Sequence, residues 1–454
     1  MMEWIRRVIN KLFAKKDIKD ALKVDVAVSE EMLGAIGLWS EMYANNSPWV
    51  DNNLVKSMNL PATIANEISR LVTLELRTEV TANEELDEVY QKVIKDIKEV
   101  TEYAAAKGGL VFKPYYDGEG LAVDYVQADM FYPTNYDSSG NITGGVFIDK
   151  KKEGTVIFTR LEHHELLADG YLVTHSAFKN SVGDDKSLGI RTDLTEVSEW
   201  ADIEPEVFIP GVDRPLFSYF KIPMANNIDS HSPLGVSVFA RSVDLIAEAD
   251  RQYSRILWEY EGSELAIDAS SDLFKMDGSI PKGKERLYRR LDTEKEDFFN
   301  AWAPEIRDES FQNGLNDLLR RVEFSSGLAY GTLSDAQSEA KTATEIKTSK
   351  QRTYSTVLDI QKSLEQALTE LVEIFIIWGE WYELDFGEMP DITFEWDDSL
   401  ALDMDTEFAL MLREVSAGIL RPEIYLQRRY GLSEEKLKEY LPEDYYEEDV
   451  EEGF

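Results

Sequence analysis

Three clusters of ionisable side chains are the first candidates for chemistry in this sequence. His163, His164 and Glu165 stand side by side, and imidazole and carboxylate groups are common zinc ligands. Neighbouring residues on a strand point to opposite faces of the sheet, however, and no third ligand is obvious nearby. We therefore interpret the two histidines as surface residues and predict no metal site.

Paired carboxylates near the C-terminal end form the second cluster, because such pairs can serve metal-dependent or acid–base hydrolysis. They occur at Asp397 with Asp398 and at Asp403 with Asp405. The sequence has 87 acidic and 48 basic residues, a net charge of −39, so acidic pairs are expected by chance. It also lacks a glycine-rich phosphate loop and a nucleophile elbow. We predict no catalytic residues and no cofactor, and keep a carboxylate-dependent hydrolase as an alternative.

The third cluster is basic and stands out in an acidic chain. Its members are Lys282, Lys284, Arg286, Arg289 and Arg290. The usual structure of such a cluster is a solvated helix face. A binding function would bring these cations to an acidic protein surface or to phosphate groups.

The composition excludes several classes of site. The sequence has no cysteine, which rules out disulfides, cysteine nucleophiles and thiolate zinc sites. The negative charge argues against a protein that grips nucleic acid over most of its surface. It is compatible with a surface past which nucleic acid slides, and equally with simple solubility. No run of about twenty apolar residues is present, so no transmembrane helix is predicted.

The N-terminal segment, residues 1–16 (MMEWIRRVINKLFAKK), predicts a basic amphipathic helix. It lacks the continuous apolar core and the cleavage site of a secretory signal. Two functions stay open for it, an arm that docks on a neighbouring subunit and binding at a membrane surface.

The longest predicted element runs over residues 341–383. No proline interrupts it, and apolar residues recur at three- and four-residue steps, which predicts a helix of roughly 60 Å. Only its second half is apolar enough to be buried along one face. An isolated domain rarely needs such a rod, so a strut in an assembly is favoured over a long core helix.

The remaining pattern predicts an α+β chain, in which the long helix follows a small module and a loop rich in Gly, Ser and Ala. The sequence predicts mostly helices to residue 106, and then antiparallel strands over 110–178 with a turn at 117–120. A helix over 235–263, a compact insert at 264–307 with short strands at 264–267 and 272–276, and a helix over 309–322 follow. The chain ends with the loop at 325–340, the long helix, a strand at 392–396, helices over 405–440 that break at Gly418 and Gly431, and an acidic tail.

The order of five segments resembles that of the siphophage-type portal proteins of tailed bacteriophages. The segments are residues 108–113 (GGLVFK), 128–134 (ADMFYPT), 235–267, 341–346 (KTATEI) and 417–421 (AGILR). With the elements between them, the resemblance covers residues 55–440.

This resemblance implies a ring-shaped homo-oligomer, typically dodecameric, at one capsid vertex of the virion, assembled in the host cytoplasm. Double-stranded DNA would pass transiently through the ring during packaging and ejection. The implied partners are the terminase packaging motor, the major capsid and scaffold proteins, and head-completion or adaptor proteins, with no membrane.

The resemblance also implies a division of the chain into parts. These would be a wing over residues 1–234, stem helices over 235–263 and 308–324, a clip over 264–307, a tunnel loop over 325–341, the long wing helix with a strand over 342–399, and a helical crown with an acidic tail over 400–454.

Two sets of site residues follow from that division. The basic cluster would lie in the clip, where contact with the motor or a neighbouring subunit is favoured over direct contact with DNA. The tunnel loop would line the DNA channel and touch DNA without gripping it, since few cations release few counterions. The loop residues expected there are Thr332, Ser334, Asp335, Gln337, Ser338, Glu339 and Lys341.

Two other classes of protein stay open beside the portal. A non-viral ring or scaffold would share the long helix but need no hole of DNA size. The hydrolase would be a monomer or a dimer with a pocket. The size of the oligomer distinguishes the portal and the scaffold from the hydrolase. The diameter of the central pore distinguishes the portal from the scaffold.

Overall fold

The fold comes from a computed structural model that describes most of the chain. Its atoms form two units, Met1–Glu395 and Trp396–Phe454. No helix among the described residues is both long enough and apolar enough to cross a membrane. The residues that the structure describes are 15–51, 54–74, 76–81, 83–182, 187–263, 266–270, 288–291, 299–302, 305–335, 343–384, 386–387, 389–396 and 404–430.

Helices dominate the N-terminal part of the first unit, as predicted. Side-chain caps fix where two of them begin, because Ser29 accepts from the Met32 N–H and Asn83 accepts from the Leu86 N–H. Gly108, at φ 94°, ends the last helix at the predicted position. The elements are α1 (Lys15–Leu22), α2 (Glu30–Tyr43), α3 (Leu60–Val72), strand β1 (Arg77–Val80) and α4 (Glu84–Lys107).

Two antiparallel sheets follow and confirm the predicted β region. The smaller has the strand order β10–β2–β3 and the larger has the order β4–β5–β6–β7–β8, with β9 also paired to β7. Periodicity does not predict β4, β8 or β9, which are short or contain proline. The strands are β2 (Gly109–Tyr116), β3 (Leu121–Gln127), β4 (Phe131–Tyr136), β5 (Ile142–Glu153), β6 (Val156–Leu167), β7 (Gly170–Ser181), β8 (Ile190–Thr192), β9 (Glu206–Pro210) and β10 (Ser218–Lys221).

The helix predicted from residue 235 begins later, as α5 (Val243–Gly262). A tertiary contact explains the difference. The backbone at Gly235 passes so close to Gly108 that a Cβ on Gly235 would lie 2.2 Å from the Gly108 carbonyl oxygen. The Val238 N–H then donates to the Ala105 carbonyl at 3.0 Å. These contacts hold the segment before α5 against the end of α4, outside an α-helical conformation.

The long helix is confirmed as α7 (Ala343–Trp381), with 39 residues and a length of about 58 Å. Its apolar second half is buried against β10, β2 and α3. Two side chains also bond it to neighbouring backbone, because Ser363 donates to the Lys221 carbonyl at 2.6 Å and Gln361 donates to the Val72 carbonyl at 3.1 Å. The second half is therefore a core helix of the first unit.

Strand β14 (Ile392–Glu395) closes the first unit by pairing antiparallel with β1. The second unit contains α8 (Met404–Ser416) and α9 (Pro422–Tyr430). Gly418, at φ 69°, stands at the predicted break between them. The predicted helical continuation and the acidic tail, residues 431–454, lie outside the described residues.

Candidate functional site

The centre of the candidate site is an antiparallel pair of helices, α5 and α6 (Asp308–Ser325). At one end, the Ser242 hydroxyl lies 3.0 Å from the Ser326 hydroxyl. At the other end, the Gln312 amide donates to the Tyr260 hydroxyl at 2.9 Å. The residue just before α6, Arg307, places its guanidinium 2.9 Å from the Glu259 carboxylate. The pair thus has defined partners at both ends.

A three-stranded sheet is inserted between the two helices. Its strands are β11 (Ala266–Ser270), β12 (Tyr288–Leu291) and β13 (Phe299–Trp302). The central strand β11 pairs parallel with β12 and antiparallel with β13. The insert predicted at 264–307 is therefore β in the parts that the structure describes. The second strand predicted there, over 272–276, lies outside the described residues.

The basic cluster falls partly in this insert. Arg289 and Arg290 are consecutive residues of β12, where they pair in register with Asp268 and Ala269. The expectation of a helix face is therefore wrong for this part of the cluster. The other members, Lys282, Lys284 and Arg286, lie outside the described residues.

The chain leaves α6 through a tight return held by a buried carboxylate. Glu323 has no exposed surface. Its Oε1 accepts the backbone N–H groups of Gly331, Leu333 and Ser334 at 3.1, 2.6 and 2.7 Å. Its Oε2 accepts the Ser334 hydroxyl at 2.9 Å. The sequence analysis missed Glu323, although it lies four residues after the buried Leu319 and so belongs to the inward side of the helix.

The residues predicted for the tunnel loop divide into three groups. Ser334 is buried against Glu323. Thr332 and Asp335 are exposed, with the Thr332 hydroxyl donating to the Ala329 carbonyl at 2.7 Å. The remaining ones, Gln337, Ser338, Glu339 and Lys341, lie outside the described residues.

The first half of α7 returns to the end of α6. The Arg352 guanidinium lies 3.9 Å from the centroid of the Phe324 ring, a cation–π geometry. Gly327, at φ 76°, packs so tightly that a Cβ there would lie 2.6 Å from the Thr356 hydroxyl oxygen. The chain at and just after the end of α6 therefore packs against α7 near residues 352 and 356.

One side of α5 is exposed, apolar and cationic. Trp258 is 68% exposed and Leu54 is 79% exposed. They line a shallow groove of about 400 Å³ together with Lys56, Arg251 and Arg255. Exposed aromatic and cationic residues in one patch are typical of protein interfaces. We call this surface the α5 groove.

The histidine pair on β6 is buried, so the surface interpretation is wrong. Nδ1 of His164 lies 2.9 Å from the Tyr171 hydroxyl, and Nε2 lies 2.7 Å from Glu162. The Lys113 ammonium donates to the same carboxylate at 3.0 Å. The network thus joins strands β2, β6 and β7 inside the fold. Among the described residues, no group of three or more metal-ligating side chains forms a metal site.

Burial and charge set the protonation of this network. Burial alone would raise the pKa of Glu162, but the Lys113 ammonium, the His164 hydrogen bond and Arg160 hold it well below its usual value. Burial lowers the pKa of His163 from 6.5 to about 4, with a further contribution from His164. These values fit an ionic carboxylate and neutral imidazoles in a closed core. The arrangement stabilises the sheet.

The paired carboxylates of the hydrolase alternative are mostly outside the described residues. This applies to Asp397, Asp398 and Asp403. Asp405 belongs to the first turn of α8. The hydrolase alternative therefore rests on residues outside the part of the chain that the structure describes.

The chain matches one protein-family model, and its fold is similar to several solved structures of low sequence identity. Curated proteins include no significant match. Among solved structures, the virion of a native gene transfer agent particle is similar with 11% identity and a TM-score of 0.45, over 96% of this chain and 99% of that chain. The neck of the native particle, computed with C12 symmetry, is similar with 10% identity and a TM-score of 0.43, over 91% and 98%.

The close correspondence is at the level of the family. The family model described as phage portal protein, SPP1 Gp6-like, matches residues 23–449 of the 454-residue sequence. This range contains both sheets, the α5–α6 pair, its inserted sheet and the long helix. The chain therefore belongs to the SPP1 Gp6-like family of phage portal proteins.

Proposed function

We propose that this portal protein assembles into a ring around a channel at one vertex of the capsid. Double-stranded DNA passes through this channel during packaging and ejection. Its family is structural, with a role in the virion. The observation that carries the proposal is the order of parts between residues 243 and 381. Two antiparallel helices bracket a small sheet, a loop follows at their other end, and a long helix leaves from that loop.

The proposed division of the chain follows this order. Helices α5 and α6 are the stem, the sheet β11–β13 belongs to the clip, and residues 326–342 are the tunnel loop. The wing contains the N-terminal helices, the two large sheets and the second half of α7. The crown begins after β14. Relative to the sequence-based division, the first stem helix is shorter because the segment before Val243 packs on α4.

The α5 groove is the surface that we assign to the neighbouring subunit of the ring. The exposed side of α6 begins with Asp308 and Glu309, which are opposite in charge to Arg255 of the groove. A head-to-tail contact between these two surfaces would repeat from subunit to subunit, as a closed ring requires. Complementary charges favour this orientation of the two copies.

The channel surface and the docking surface are proposed from charge. A net charge of −39 repels phosphate and favours passage of DNA over tight binding. The basic cluster at 282–290 is the exception, and we assign it to contact with the terminase motor or an adaptor protein. Arg289 and Arg290 lie on β12, which belongs to the proposed clip.

Negative-stain electron microscopy of the purified protein tests the proposal. We expect rings with a central hole wide enough for duplex DNA. Rings without such a hole would favour a scaffold, and compact particles would favour a monomeric protein. If the purified protein forms compact particles, the imaging is repeated with capsid scaffold components added. Rings that appear only then show that the subunit needs partners to close the ring.

A further inference from the structure

The return of the chain after α6 is organised by one buried carboxylate. A buried ionised group is costly unless several donors satisfy it. Glu323 meets this need with four donors from a single short segment, three backbone N–H groups and the Ser334 hydroxyl. The same segment is also tied to the helix by the Leu328 N–H, which donates to the Glu323 carbonyl at 2.9 Å.

A second contact lies further back along the helix. The Asp335 N–H donates to the Asn316 side-chain oxygen at 2.7 Å. Asn316 is about two turns before Glu323 on α6. The residues between 326 and 335 therefore fold back along the helix that they have just left, and Ser334 and Leu328 are buried there.

From this geometry we propose that Glu323 is a positioning residue that fixes the base of the tunnel loop to stem helix α6. Residues 331–335 then move together with helix α6, and this helix determines the position from which the rest of the tunnel loop extends. This inference rests on the proposed function for its consequence, which is that each loop follows the movement of its own stem helix. The anchor itself is a property of the single subunit.

The chemistry of the anchor needs a carboxylate. Oε1 takes three N–H donors and Oε2 takes a hydroxyl donor, so both oxygens act as acceptors. In Glu323→Gln, the shape is kept but one acceptor becomes an NH₂ group, which faces donors instead of acceptors. Ser334→Ala removes one donor of the four and leaves the carboxylate in place. The two variants therefore weaken the anchor to different degrees.

Hydrogen exchange of backbone amides in the full-length protein measures the anchor directly. In the wild type, we expect the amides of Gly331, Leu333 and Ser334 to be protected. Glu323→Gln should speed their exchange by about tenfold or more, and Ser334→Ala should have a smaller effect at the same amides. Glu305→Gln, at an exposed carboxylate three residues before the same helix, serves as the control and should change none of them.

The functional readout is the amount of DNA packaged into capsids, divided by the number of capsids that contain a portal ring. Glu323→Gln should lower it while ring yield stays close to that of the wild type. Unchanged exchange at the three amides in Glu323→Gln would overturn the anchor, and so would unchanged exchange in Ser334→Ala if the first variant fails to fold. Faster exchange with normal packaging would overturn the positioning role. Absence of rings in the wild type would contradict the proposed function alone, because the exchange experiment needs no ring.

Discussion

The indole N–H of Trp49 donates a hydrogen bond to the Asp250 carboxylate at 2.8 Å and thereby joins residues 201 positions apart. The other oxygen of Asp250 accepts the Met58 N–H, also at 2.8 Å. Asp250 is only 1% exposed, and burial raises its pKa despite these two donors. The segment from Trp49 to Met58 is therefore fastened to helix α5, and it also supplies Leu54 and Lys56 to the α5 groove.

Replacement of Asp250 should destabilise the subunit. Asp250→Ala leaves the buried Trp49 N–H and the partly buried Met58 N–H without their acceptor, which should lower the free energy of unfolding by about 1–3 kcal/mol. Denaturant unfolding at a fixed protein concentration measures this. Glu248→Ala, an exposed position on the same helix, should change the value by less than about 0.5 kcal/mol. Equal effects of the two variants would contradict a special role for Asp250.

A methyl group at Gly235 should disrupt the packing of the segment before α5 against the end of α4. The added Cβ would meet two backbone oxygens, at 2.2 Å from Gly108 and 2.9 Å from Ile222, so no side chain can move to relieve the clash. Gly235→Ala should cost about 1–3 kcal/mol or more. Gly314→Ala on α6 meets only an ordinary contact at 3.5 Å and should stabilise its helix by up to about 1 kcal/mol. Thermal unfolding of both variants checks the opposite signs.

Stability should fall as the pH drops from about 6.5 to about 4. Burial lowers the pKa of His163, and also that of His175, from 6.5 to about 4. Between these values the unfolded chain binds protons that the folded chain does not, so acid favours unfolding. His163 alone should account for up to ~3 kcal/mol. Glu162, whose pKa is also lowered, adds a loss of the same sign at lower pH.

Unfolding curves at pH 7, 6, 5 and 4.5 measure this dependence. His163→Asn should make the decline shallower than in the wild type, because one of the titrating groups is gone. A wild-type stability that is flat over this range would show that the histidines are protonated as easily in the folded chain as in the unfolded one.

A charge in the α5 groove should prevent ring assembly. Trp258→Asp replaces a ring that is 68% exposed in the single subunit, so the subunit itself should lose less than about 0.5 kcal/mol. Analytical ultracentrifugation should show the loss of the ring with little change in subunit stability. Ile190→Asp, at a position 74% exposed on β8, is the control for removal of an exposed apolar side chain. Normal rings from Trp258→Asp would place the subunit contact elsewhere.

Reversal of charge on β12 should weaken docking of the packaging motor. Arg289→Glu combined with Arg290→Glu would place negative charges opposite an acidic surface of the motor. Such a like-charge contact slows association of the two partners more than it speeds their dissociation. The binding of purified terminase to assembled rings measures the effect, with a stronger defect expected at low salt. Arg241→Glu, an exposed position before α5, is the control. Unchanged terminase binding would remove the basic cluster from the motor contact.

The sequence pattern correctly predicted those parts of the fold that neighbouring residues in the sequence determine. The helix α7 follows from its apolar period, and the end of α4 follows from Gly108. The turn at 117–120 follows from Asp117, which accepts the N–H groups of Glu119 and Gly120. In each case the signal lies within a few residues of the structure that it specifies.

The features that were missed depend on distant partners. Residues 235–242 carry a helical pattern, but Gly108 and Ala105 determine their conformation from more than a hundred positions away. The burial of His164 depends on Lys113 through Glu162. Glu323 could be recognised as an inward-facing residue, but its donors become apparent only when the chain is seen to turn back on α6.

The pairing of β1 with β14 has a consequence for how the C-terminal part of the chain can vary. Each strand covers the hydrogen-bonding edge of the other, and the last paired residue, Glu395, is also the last residue of the first unit. The first unit therefore completes its own sheet before the second begins. An insertion, a shortening or an exchange of the sequence beyond residue 396 therefore leaves the pair of β1 and β14 intact.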